Sequence, residues 1–122
     1  MKNDKIQGLL GELKQKDSEL DGSIVFDTVS GETIASTFSG DYDQKTIKIE
    51  QLVADLEKDR ILKLDPTGPK NWMMSSWAKK IVTTVRIKGN IFLSCEYVIE
   101  KAPSAAIEDA LEIALMVNQH LG

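Results

Sequence analysis

The chain has 122 residues, 42% of them apolar and 28% charged, with a formal net charge of −4; this suits one domain that buries roughly two thirds of its unfolded surface and is too apolar for a disordered chain. The negative balance disfavours nucleic-acid binding, which needs lysine and arginine to neutralise phosphates. Apolar runs such as Ile91–Cys95 fall far short of the roughly 18–20 residues that cross a bilayer, so no membrane span is expected.

Ile6, Leu9, Leu10 and Leu13 recur at the spacing of one helical face, which predicts a first helix over residues 3–19, ended by Asp21-Gly22. Ser23–Asp27 is a short β-rich run, Thr28–Glu32 supplies turn residues, and Thr33–Phe38 reads as the returning strand. Ile49, Leu52, Val53 and Leu56 then mark an apolar stripe on a second helix over about 43–63, with Asp41 or Asp43 as its N-cap. Pro66 and Pro69 interrupt regular structure in the connection that follows. Trp72–Trp77 is expected to be a strand on the rim of a sheet.

Lys80–Ile87 and Ile91–Ile99 carry the clearest strand signal, and their alternation also selects a register. If Ile87 opposes Ile91, then Val85 meets Leu93, Thr83 meets Cys95 and Ile81 meets Tyr97 on one face. That pairing leaves a three-residue loop, Lys88-Gly89-Asn90; a two-residue Gly89-Asn90 turn would place Arg86 beside Leu93 on the core side, so the pattern favours the longer loop. The final segment, Ser104–Leu121, has Ile107, Ala110, Leu111, Ala114, Val117 and Leu121 along one broad face, with Ser104 as the expected N-cap.

The expected order is helix, strand, strand, helix, strand, strand, strand, helix, an α/β chain of the α+β type. In that order, and in Gly22–Asp27 followed by Gly31 and Thr33-Ile34-Ala35, the sequence resembles the Roadblock / dynein light chain family. The resemblance implies a five-stranded antiparallel sheet of profilin-like architecture, with the first and last helices on one face and the middle helix on the other. It also implies pairing of two copies through the middle helix and the neighbouring edge strand. Carried onto this chain, that surface is Ile49, Leu52, Val53 and Leu56 together with Trp72, Met73, Met74 and Trp77. The long Leu64–Asn71 connection and the two tryptophans beside it depart from the family pattern.

Residues that could carry chemistry have simpler explanations. Trp72 and Trp77, five apart, fall on opposite faces of a regular strand, one suited to the core and the other to the surface or an interface. Cys95 shares a face with Leu93 and Tyr97 and reads as a buried, inert thiol, and the lone cysteine of a chain with no zinc-ligand spacing fits a reducing, cytoplasmic setting. His120, the one histidine, has no second histidine to pair with and suits the negative end of a helix. Asp41 and Asp43 lack the further ligands of a calcium loop, and Gly68-Pro69-Lys70 lacks the spacing of a phosphate loop. Arg60, on the expected middle helix, reads as a solvated surface arginine and is also the candidate to face a GTPase as an arginine finger. No nucleophile–base set, cofactor motif or metal pattern is present in the sequence.

The residues lead to the expectation of a single non-catalytic domain, residues 1–122, without a cofactor, and the resemblance implies that it forms a homodimer and regulates or scaffolds a small Ras-like GTPase. The alternative is a small-molecule sensor built on a similar antiparallel sheet.

Overall fold

The computed structural model describes residues 3–27, 29–37, 72–77 and 80–121, with 72–77 described by backbone alone. Helix α1 spans Asp4–Lys16; strands β1 (Leu20–Asp27), β2 (Thr33–Ser36), β3 (Trp72–Trp77), β4 (Lys80–Lys88) and β5 (Ile91–Val98) follow, and helix α2 spans Pro103–Asn118. The strands form one antiparallel sheet in the order β2-β1-β5-β4-β3. The expected helix over 43–63 and the 64–71 connection lie outside the described residues.

Asn3 caps α1: its Oδ1 accepts from the amides of Lys5 and Ile6 at 3.0 and 3.1 Å, two donors that the first turn cannot satisfy by itself. The helix ends earlier than the periodicity suggested. Asp17 leaves helical geometry, its Oδ1 accepts from the Glu19 amide at 2.9 Å, and its carbonyl accepts from the Leu20 amide at 3.1 Å. This local turn frees Leu20 to pair with Tyr97, so β1 begins there, three residues before the expected start.

The β4–β5 hairpin combines both readings of the sequence. Val85 pairs with Leu93, Thr83 with Cys95 and Ile81 with Tyr97, as the alternation required. The turn, however, is the two-residue Gly89-Asn90, with Gly89 at φ 56°, and Lys88 rather than Ile87 opposes Ile91. A bulge between Arg86 and Lys88 absorbs the extra residue, so the short turn coexists with the core register.

At the start of α2, Ala102 occupies the N-cap position without a side-chain hydrogen bond, and Pro103 begins the helix. Proline's preset φ and missing amide suit that position, which displaces the expected cap at Ser104. His120 lies in a turn beyond the helix end at Asn118.

One core lies between the sheet and the two helices. Ile6 and Leu10 of α1 and Ala106, Ala110, Ile113, Ala114 and Val117 of α2 join Val25, Val85, Leu93, Cys95 and Tyr97 in a single buried cluster. The opposite face is buried as well: Ile24, Phe26 and Phe92 form their own cluster, with the two rings 6.2 Å apart, and no residue of α1 or α2 joins it. This explains why β1 and β5 read as nearly continuous buried runs.

Candidate interaction surfaces

The two edges of the sheet differ. At the β2 edge, the Gln7 side chain acts as an extra peptide unit: Nε2 donates to the Ser36 carbonyl at 2.6 Å, and Oε1 accepts from the Ser36 amide at 2.9 Å. The Asn3 amide donates to the Ile34 carbonyl at 2.9 Å. The start of α1 thus occupies β2's outward-facing polar groups, a common way of protecting an edge strand. At the other edge, β3 pairs with β4 from Trp72↔Val85 to Trp77↔Lys80, and no described strand lies beyond it.

α1 and α2 run antiparallel and are joined at both ends. Asn3 Nδ2 donates to the His120 carbonyl at 3.2 Å. At the opposite end, Lys101 Nζ lies 3.4 Å from Glu19 Oε1 and 3.7 Å from Asp17 Oδ2. Its ammonium also sits 5.1 Å from the centre of the Tyr97 ring, and the Tyr97 hydroxyl donates to Asp109 Oδ2 at 2.6 Å. Burial pushes the Tyr97 phenol well above its usual range, and Cys95 and Asp109 beside it add to the shift. The bonds from Asn3 to His120 and from Lys101 to Asp17 and Glu19 join elements far apart in sequence and carry no local signature.

Across the middle of the helix-covered face runs a polar row in which Ser23 opposes Cys95 and Cys95 opposes Thr83. All three are buried, and Ser23 Oγ and Thr83 Oγ1 have no hydrogen-bond partner. No cluster of three or more metal-ligating side chains occurs among the described residues, and no helix among them is long and apolar enough to cross a membrane.

The expected site residues are placed as follows. Trp72, Met73, Met74 and Trp77 lie on the edge strand β3, with Trp72 in register with Val85 and Trp77 with Lys80. Ile49, Leu52, Val53, Leu56 and Arg60 lie outside the described residues, as do Asp41, Asp43 and Gly68–Lys70. Cys95 is buried, as its place in the strand pattern suggested.

The chain superposes on the crystal structure of a Roadblock/LC7 domain from Streptomyces avermitilis with a TM-score of 0.76 and 9% identity, covering 94% of this chain and 96% of that one. It has a Roadblock/LC7 fold. A chain of the LokiProfilin1–rabbit actin complex is also similar, with a TM-score of 0.58 and 15% identity over 96% of each chain. The Roadblock superposition is the closer of these two. No family model matches the sequence, and no curated protein matches it. At identities this low the likeness lies in the fold, which by itself does not assign an activity.

Proposed function

We propose that this chain is a single non-catalytic interaction domain that pairs with a second copy and serves as a regulator or scaffold for a small Ras-like GTPase. The observation that carries this reading is the inequality of the sheet edges: α1 occupies the polar groups of β2, whereas β3 ends the sheet with no described strand beyond it. A symmetric partner that continues the sheet from β3 would satisfy that edge, and a twofold pairing does so for both copies at once. In this proposal Ile49, Leu52, Val53 and Leu56 extend the contact from β3, and Arg60 faces the GTPase.

Light scattering is expected to give twice the chain mass for the wild type and a monomer for Leu52→Asp/Leu56→Asp. A monomeric wild type at tens of micromolar would remove the pairing. Titration with Ras-like GTPases from the same cell, with GTP hydrolysis measured for wild type and Arg60→Ala, tests the partner. Absence of binding across the set would remove the GTPase reading and leave the dimer intact.

A second reading, a small-molecule sensor, draws on the unpartnered hydroxyls of Ser23 and Thr83 flanking Cys95. Buried hydroxyls without partners are each unfavourable by about 1–3 kcal/mol, and a polar ligand would relieve that. Native mass spectra showing a copurified small molecule that Thr83→Val abolishes would favour the sensor.

A further inference from the structure

One row of α2 runs along the border of the core and stays partly open, with Leu111 itself packed against the core cluster. Ile107, Leu111 and Leu115 follow one another at four-residue intervals, which sets them in one row along the helix surface. Ile107 and Leu111 are half-buried, and Leu115 is 67% exposed. Glu108 and Glu112 occupy the adjacent row; both are exposed, and neither forms an ion pair among the described residues. The remaining acid of the helix, Asp109, is engaged by the Tyr97 hydroxyl. α2 contains no lysine or arginine, and the nearest preceding cation, Lys101, is drawn to Asp17 and Glu19 with its side chain only 11% exposed.

Helix formation does not require leucine at position 115, because glutamate, lysine and glutamine have similar helix propensities. An apolar row beside an unneutralised acidic row is a pattern that a complementary helix matches, with apolar anchors at four-residue spacing and cations along one flank. Nucleic acid and anionic membrane would bring phosphates against Glu108 and Glu112, so charge points to a protein segment. We infer that the partly open border of α2, running from half-buried Leu111 to exposed Leu115 and flanked by Glu108 and Glu112, docks a cationic amphipathic helix of a partner protein. The inference rests on the reading of the domain as an interaction module and does not depend on pairing through β3.

The test is fluorescence anisotropy with a labelled synthetic helix of about 18 residues, roughly five turns, carrying a leucine row beside a lysine row. Two control helices replace the leucines by serine or the lysines by glutamate. Wild-type protein is expected to bind only the leucine–lysine helix. Leu115→Ser should weaken that binding at least about tenfold, and Glu108→Lys/Glu112→Lys should transfer preference to the leucine–glutamate helix. Circular dichroism establishes that each variant is folded, and light scattering reports separately on pairing, so loss of the dimer and loss of helix docking are distinguishable. Unchanged affinity in Leu115→Ser, equal binding of the serine–lysine helix, or no binding of the leucine–lysine helix would each overturn the inference.

Discussion

β2 and β3 end the same sheet, yet among the described residues only the β2 edge is closed by another element of the chain. At β2, a helix-borne glutamine supplies the donor and the acceptor that a neighbouring strand would offer. At β3, the ladder to β4 runs from Trp72 to Trp77, and no described strand lies beyond it. In general, a sheet closed at one edge can extend only as far as a pair, whereas a sheet open at both edges can grow without limit.

Proline at adjacent positions of β3 should break the comparison most sharply. Successive residues of a strand direct their amides to opposite sides, so Ser75→Pro and Ser76→Pro are expected to behave differently. The variant that removes an amide bonded to β4 should lose about 1–3 kcal/mol of stability, because a ladder carbonyl of β4 is left unpaired. The other should remain folded and fail to dimerise, as read by thermal melting and light scattering. Identical behaviour of the pair would show that the outer edge of β3 plays no part in association.

Gln7→Ala should act at the opposite edge. It removes both bonds to Ser36, with an expected loss of about 1–2 kcal/mol at two ordinary hydrogen bonds. If the glutamine limits sheet growth, the variant also forms species larger than the dimer. A variant that is less stable but unchanged in mass would make Gln7 a helix anchor only.

Tyr97, on β5 between the two edges, serves as a control. Its folded-state pKa is raised by burial first, then by Cys95 and Asp109, so the folded protein holds the phenolic proton where the unfolded chain releases it. The associated stability is therefore complete below about pH 10 and is lost as pH rises above it. Urea midpoints of wild type should fall more steeply above pH 10 than those of Tyr97→Phe, without any change in dimer mass.

The smallest effect should come from α1 itself. An added Cβ at Gly8 or Gly11 meets nothing within 4 Å, so alanine at either position should stabilise the helix that carries Gln7 by about 1 kcal/mol or somewhat less. Thermal melting of each variant provides the check.

Much of the fold was legible because it follows local periodicity. The spacing of Ile6, Leu10 and Leu13 marked α1, and alternation in 81–87 and 91–97 set the pairs Val85–Leu93, Thr83–Cys95 and Ile81–Tyr97. The early end of α1 was hidden because Asp17 forms a side-chain turn that apolar spacing does not register. The hairpin loop was misjudged for a related reason: alternation shows which residues share a face, but a bulge lets that pattern coexist with a shorter turn. Of the expected interface, the edge strand Trp72–Trp77 was read from the β preference of its residues.

By itself, the sequence determined the helices at each end, the strand pairs in the middle and the buried place of Cys95, because each depends on the spacing of apolar residues a few positions apart. Only the tertiary structure decided how the edges differ. Gln7 meets Ser36 across 29 positions, and Lys101 meets Glu19 across 82. Such contacts depend on the packing of whole elements against one another, so an amide that completes a strand edge looks in sequence like any polar residue on a helix.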